Sequence, residues 1–366
     1  MLYTKDYRKI WIVYSPRLCG RGIVISINIE GEKHNTMIIT RTPFRISFAG
    51  GGSDLPSFYR KHEGCVLSAT INKYMYIAVH PSFNREITTI KYSKTENVTD
   101  VRQIQHPIAR QLLLDYGLSG LEITSTADVP SGTGLSTSSA YTVGLILALN
   151  AFIGKYCSQE RIAREACEVE IEKLGEPIGK QDQYGVAIGG LKFIRFRRDD
   201  TVEVEPIIMS REAYEQLNDN LLLFYTGLTH SASEILKEQS QNIVSEEDKF
   251  LNLVRMTELA HEMREAMHNE DLDRFGEILN EGWQLKRTLA SQISNPLIDD
   301  HYELALKNGA LGGKLLGAGG GGFLLFYCKK EKQKRLRSAL SSLVELPFDL
   351  ESGGTKVIYV GEKDWE

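Results

Sequence analysis

From Ile38 the chain alternates apolar and polar residues as far as Phe48, then runs directly into Gly50-Gly51-Gly52. That period-two pattern predicts a half-buried strand ending in a sharp turn. Cys65–Pro81 holds two further strand-like runs, and Leu121–Ala127 a short one. Pro107–Asp115 carries helical spacing that stops near Gly117. Pro130–Ser139 is a glycine- and serine-rich turn opening an apolar helix from about Ser138 to Ile153. A second helix is predicted over Ser158–Leu174, with Ser158 as N-cap and Glu160 and Glu165 early in it. Gly189–Phe196 reads as a strand, and the polar segment Arg197–Glu203 as a domain boundary.

Beyond the boundary, Leu221–Tyr225 reads as a strand and Ser231–Ser291 as helical, with Met256, Leu259, Met263, Met267 and Leu272 at apolar positions. Pro296 interrupts this stretch. A helix over Leu297–Asn308 is stopped by Gly309. Ala310–Gly322 reads as a second glycine-rich turn, Phe323–Cys328 as a strand, Glu331–Val344 as a helix and Thr355–Val360 as a last strand. The expected organisation is α+β in two domains, 37–203 and 204–366. Residues 1–36, with only a candidate strand at Gly22–Ile29, read as an extension outside them, Met37 being an alternative start.

Composition narrows the function classes. A length of 366 residues suits two domains, each able to bury its own core. Forty-three basic against 48 acidic side chains leave a net charge of −5, which offers no general attraction to nucleic acid or anionic lipid. Five scattered cysteines without a Cys-x-x-Cys pair predict neither a disulfide framework nor a zinc site, and suit a reducing cytoplasm. The longest apolar run, Tyr141–Phe152, is too short to span a bilayer. No membrane partner is expected.

Four segments carry candidate chemistry. The first is Pro130, Ser131, Gly132, Thr133, Gly134, Leu135, Ser136, Thr137, Ser138 and Ser139. Glycines here permit close backbone approach to an anion, a helix N-terminus adds partial positive charge, and consecutive hydroxyls suit phosphate oxygens or magnesium. The bland alternative is a helix cap, but a cap needs one hydroxyl rather than four. Second, Glu170 falls near the centre of the apolar face made by Ile162, Ala163, Ala166, Cys167, Val169 and Leu174, whereas Glu172 faces solvent. A carboxylate aimed into a core needs a basic or backbone partner, or a cation. Third, Asp182 lies in the glycine-bounded turn Gly175–Gly185, placed either to meet a hydroxyl or to cap the turn. Fourth, Arg45 sits on the first strand, and Gly51, Gly52, Ser53 and Asp54 follow it in a turn open to a small polar ligand or held by a capping Asp. Lys314-Leu-Leu-Gly-Ala-Gly-Gly-Gly-Gly-Phe323, which includes Gly319 and Gly320, is too glycine-rich for an ordinary hairpin.

In this order the segments resemble the GHMP small-molecule kinases. PSGTGLSTSSA resembles the family's phosphate-binding motif and KLLGAGGGGF its C-terminal glycine motif. TPFRISFAGGGSDLPSFY and GKQDQYGVAIGG are similar to the sugar-kinase branch that includes kinases of heptose 7-phosphate. The galactokinase signature Gly-Glu-His-x-Asp is replaced by Gly51-Gly52-Ser53-Asp54, which argues against galactose.

The resemblance implies an N-terminal ATP-binding α/β domain and a ferredoxin-like C-terminal domain, with the active site in the cleft between them. It implies ATP and Mg2+ as cofactors, with the 130–139 loop on the nucleotide and Ser138 and Glu170 on the metal. Asp182 would act as base or orienting carboxylate, with Arg45 as its positive partner. Asp54, with Gly51, Gly52, Ser53, Gly319 and Gly320, would hold the sugar or sugar phosphate.

The implied reaction phosphorylates the anomeric hydroxyl of heptose 7-phosphate, on the way to nucleotide-activated heptose for surface glycans. Alternatives are a kinase for galactose, fucose or a related sugar, and a non-catalytic sensor on the same fold. Lys180, Lys192, Arg195, Arg197 and Arg198 are candidates for a substrate-phosphate clamp. A homodimer is the one protein assembly entertained.

Overall fold

The computed structural model describes residues 36–228 and 232–361. The expected strand Gly22–Ile29 lies outside them, as does nearly all of the expected extension. Strand β1 (Ile38–Ala49) pairs antiparallel with β2 (Gly64–Pro81). The two runs predicted in Cys65–Pro81 form this one strand of 18 residues. It changes partner at the polar Asn72-Lys73 break, pairing with β6 (Leu191–Phe196) before it and β5 (Leu121–Ala127) after it. The short strands β3 (Thr88–Lys91) and β4 (Thr95–Val98) extend one side, β3 lying parallel to β5.

The predicted boundary at Arg197–Glu203 is instead a turn into β7 (Val202–Pro206), which pairs back on β6. The second expected domain is not one stretch of chain either. Strands β12 (Leu350–Glu351) and β13 (Lys356–Val360), both within 204–366, join β2 and β1, giving nine strands in this sheet.

The second sheet holds β8 (Leu221–Tyr225), β9 (Ala310–Leu315), β10 (Phe323–Cys328) and β11 (Val344–Glu345) in the order β11-β8-β10-β9, all antiparallel. Between β8 and β9 come α7 (Ala232–Ser245), α8 (Glu247–His268), α9 (Leu272–Lys286) and α10 (Pro296–Lys307), and after β10 comes α11 (Lys330–Ala339). This strand order and the β-α-β-β-α-β succession are those of a ferredoxin-like fold. Residues 310–315, expected within a turn, are strand β9, because Lys314 and Leu315 pair with Leu325 and Leu324 before the glycines begin.

The helices follow local signals. Asn295 Oδ1 accepts from the Ile298 N–H (3.1 Å), and Pro296 opens α10 rather than breaking a helix. Helix α6 (Arg211–Asn220) was missed, although the Ser210 hydroxyl accepts from the Ala213 N–H as an N-cap. Helix α3 (Thr137–Phe152) is buried nearly all round against β1 and β2. Phe275 on α9 links the sheets, its ring 5.1 Å from Phe48 of β1 and 5.5 Å from Tyr327 of β10. The earlier α1 (Pro56–Tyr59), α2 (Pro107–Tyr116), α4 (Gln159–Cys167) and α5 (Gln181–Ala187) all lie on the first-sheet side of the sequence. No described helix is long and apolar enough to cross a membrane.

Candidate active site

The 130–139 loop joins β5 to α3. Gly132 and Gly134 take positive φ (74° and 84°), and so does Ser136 at 66°, a strained value for a residue with a side chain. Ser136 stands at the N-cap of α3 without a side-chain cap, and the first helical turn holds no acidic residue. The free N–H groups and positive pole of a 16-residue helix therefore open onto this loop.

The second glycine loop backs the first. A Cβ on Gly134 would lie 2.5 Å from Leu316 O, one on Gly317 would lie 2.5 Å from the Gly134 Cα, and one on Gly322 would lie 2.4 Å from Thr133 O. The two backbones touch in a way that only glycine permits. Gly319 and Gly320, expected at the substrate, are buried against Ile293, whose carbonyl accepts from the Gly320 N–H (3.0 Å).

Arg45 and Asp182 meet at this junction from elements 137 residues apart. Arg45 donates from Nε (2.9 Å) and Nη2 (2.6 Å) to Asp182 Oδ1, and from Nη1 (2.8 Å) to Gly134 O. The guanidinium is almost wholly buried, whereas the Asp182 side chain keeps 28% of its surface exposed. One fork thus ties a partly open carboxylate to the glycine loop, and leaves Oδ2 without a hydrogen-bond partner among the described residues.

Glu170 is buried to 1% exposure, as its place on the apolar face predicted. The helix carrying it is not continuous to Leu174. Helix α4 ends at Cys167, and Glu168–Lys173 widens into a π-turn. Four donors surround the carboxylate: Ser138 Oγ (3.3 Å), Ser139 Oγ (2.9 Å), Thr142 Oγ1 (2.8 Å) and Gln183 Nε2 (2.5 Å). Burial nevertheless pushes its pKa up to about 6. Ser138 is exposed at the loop with Glu170 behind it. Their 3.3 Å oxygen separation is near the ~3 Å edge of a magnesium octahedron with ligands at ~2.1 Å. One carboxylate and one hydroxyl suit a magnesium ion that takes its other ligands from phosphate and water. Among the described residues no cluster of three or more His, Cys, Asp or Glu suggests an all-protein metal cage.

The Gly51–Gly52 turn contains both braces and open groups. Ser53, expected at the substrate, is fully buried, its one hydroxyl hydrogen shared between Gly50 O and Cys65 O while its oxygen accepts from the Cys65 N–H. Asp54 is also buried, with Oδ1 accepting from the Gly52 N–H (3.0 Å) and Oδ2 from the Gln181 N–H (3.2 Å). Burial, reinforced by Asp182, holds its pKa up at about 6. Asp54 therefore fastens the turn to the start of α5, beside Asp182. Facing Gly51 and Gly52 are three buried polar atoms without a hydrogen-bond partner among the described residues: Ser47 Oγ, Gln181 Oε1 and Gln239 Nε2. Sequence reasoning missed all three. Thr142 did carry a signal, lying one helical turn beyond Ser138.

The five basic residues considered for a phosphate clamp are dispersed. Arg195 pairs with Glu205, Arg197 with Glu203 and Glu63, and Lys180 with Asp200, while Arg198 is exposed. Lys192 is buried and, among the described residues, donates only to Gly190 O (2.9 Å). Burial, with Arg45 adding to it, pushes its pKa down from 10.5 to about 7. Between those values the unfolded chain binds more protons than the folded one, so stability rises with pH across that window and is lost as pH falls toward 7. Lys192→Met is expected to raise stability near pH 7 by ~1–4 kcal/mol. It should also shrink the difference between urea midpoints measured near pH 7 and near pH 9. A variant with the parent's pH slope would show that Lys192 is not the source.

Known proteins resemble this chain in sequence and in fold. Residues 103–190 match the family described as GHMP kinases N terminal domain, and residues 263–346 the one described as GHMP kinases C terminal. The D-glycero-alpha-D-manno-heptose 7-phosphate kinase of Campylobacter jejuni is 31% identical over 315 residues, covering 83% of this chain and 93% of that protein. The galactokinase of Pyrococcus furiosus is 26% identical over 332 residues, covering 83% and 92%. The crystal structure of a D-glycero-D-manno-heptose 1-phosphate kinase from Bacteroides thetaiotaomicron superposes with a TM-score of 0.73 at 25% identity, covering 89% of this chain and 100% of that one.

Proposed function

Because the chain belongs to the GHMP kinase family, as an ATP-dependent phosphotransferase acting on a sugar hydroxyl, we propose that its substrate is D-glycero-D-manno-heptose 7-phosphate, phosphorylated at the anomeric hydroxyl. The similarity to the Campylobacter jejuni enzyme over 83% of this chain and 93% of that protein supports this choice of sugar. The observation that carries the chemistry is the Arg45–Asp182–Gly134 linkage, which holds a hydroxyl-accepting carboxylate against the phosphate loop.

The 130–139 loop and the N-terminus of α3 bind the ATP phosphates through backbone N–H groups. Ser138 and Glu170 would hold Mg2+, which would supply positive charge to offset that of the ATP phosphates. Asp182 Oδ2 accepts the sugar hydroxyl proton or orients that hydroxyl toward the γ-phosphoryl group, and the two Arg45 hydrogen bonds to Oδ1 keep the carboxylate aimed. In a loose transition state full deprotonation need not precede transfer. The orphan atoms of Ser47, Gln181 and Gln239 around Gly51 and Gly52 provide both hydrogen-bond donors and acceptors for sugar hydroxyls.

Initial rates with ATP and magnesium on heptose 7-phosphate, mannose, fucose and galactose test the substrate. Heptose 7-phosphate should give the highest kcat/KM. Preference for a non-phosphorylated sugar would overturn the assignment.

A further inference from the structure

We propose that Lys286 is a second cation for the phosphoryl group in transfer, placed across the glycine-loop junction from Arg45; this rests on the sugar-kinase reading. Lys286 is the last residue of α9, and its side chain is buried. Its ammonium donates to Gly317 O (2.5 Å). Gly317 lies directly on Gly134, whose carbonyl takes the Arg45 Nη1 bond. Two cations from opposite ends of the sequence therefore grip adjacent carbonyls of the two loops that meet behind the phosphate site.

The local charge balance suits an incoming anion. Lys314 of β9 is also buried beneath the site, donating to Phe48 O (3.2 Å). Against Arg45 and Lys286 stand two carboxylates, Asp182 and Asp54, while burial and the neighbouring Lys286 charge hold Lys314 well below its ordinary pKa. Arg45 occupies one oxygen of the first, and backbone N–H groups occupy both oxygens of the second. Neither lysine has a carboxylate partner among the described residues. An ammonium has three donors, and the Lys286 group uses one of them, on a neutral carbonyl. Burial and the Arg45 charge hold Lys286 down to about 8. A buried cation in this state gains most from a doubly charged phosphoryl group, which supplies both the missing charge and acceptors for the spare donors.

The competing role is a brace that merely keeps Gly317 in place. Lys286→Gln separates the two, since a glutamine amide can still donate to Gly317 O but carries no charge. Affinities of the full chain for magnesium-ADP and for magnesium-AMPPNP, which carries the third phosphoryl position, should be measured by calorimetry. For K286Q the AMPPNP affinity should fall about tenfold or more while ADP affinity is unchanged, and kcat should fall by about 10²–10³. Lys286→Arg, which keeps the charge, should recover part of the loss.

Equal weakening of ADP and AMPPNP together with a lower melting temperature would assign Lys286 to the brace. An unchanged kcat and AMPPNP affinity would remove the role altogether. If the parent protein phosphorylates no sugar, the sugar-kinase reading fails, whereas the AMPPNP-to-ADP ratio still decides the place of Lys286.

Discussion

Asp182→Asn is expected to lower kcat by about a hundredfold or more while leaving ATP affinity nearly unchanged. The substitution keeps the size of the side chain but removes the negative charge that Arg45 holds, along with the acceptor available to the sugar hydroxyl. Its amide must also present either oxygen or NH2 to the guanidinium, and the NH2 orientation places donors against donors. In the proposed reading ATP lies on the 130–139 loop and α3, and Arg45 keeps its own bond to Gly134 O when Asp182 is replaced, so binding and turnover should separate. Steady-state kinetics with a binding isotherm for ATP reads both. Near-normal turnover would refute a role for Asp182 in the chemistry. A matching loss of ATP affinity would instead assign it to the nucleotide site.

The second large effect is expected from Gly134→Ala. The new Cβ would stand 2.5 Å from Leu316 O and 2.8 Å from its carbonyl carbon, both backbone atoms, at a φ of 84°. The left-handed conformation alone costs about 1–2 kcal/mol for a residue with a side chain. The collision adds to this, because the opposing atoms belong to β-strand-linked backbone that cannot rotate away. The two glycine loops must part, carrying the Arg45 contact on Gly134 O with them, so the variant should bind ATP at least about tenfold more weakly. Gly175→Ala provides the control. It also has positive φ (69°), but nothing lies within 4 Å of its added Cβ. It should cost about 1 kcal/mol and leave ATP affinity intact. Thermal melts and ATP isotherms on both variants test the contrast. Similar behaviour of the two would mean that the loop-to-loop contact contributes nothing beyond backbone strain.

Much of the site was legible because its signals are local. Four hydroxyls before an apolar helix, a carboxylate on an apolar face and runs of glycine are visible within a single turn or period. Glu170 shows both the reach of that reasoning and its limit. Helical spacing placed it in the core correctly, yet the π-turn at Glu168–Lys173 and the contact with Gln183 depend on packing against α3 and α5. Asp54 and Ser53 show a different failure. Polar residues after a glycine turn look open to a ligand in the sequence. Only the antiparallel pairing of β1 with β2 brings Cys65 over the Ser53 hydroxyl, and the start of α5 over the Asp54 carboxylate.

The sequence by itself determined the strand–glycine-loop–helix units, the identity of the charged groups in them, and the family to which their combination belongs. Each of these depends on residue type and spacing over a dozen positions or so. Tertiary structure decided which groups meet: Arg45 with Asp182, Gly134 with Gly317, and Lys286 behind both. Those meetings depend on strand register, and on two sheets between which the last strands of the chain are divided. A buried cation gains its meaning from the charges around it, and these arrive from distant segments whose spacing in sequence carries no trace of their distance in space.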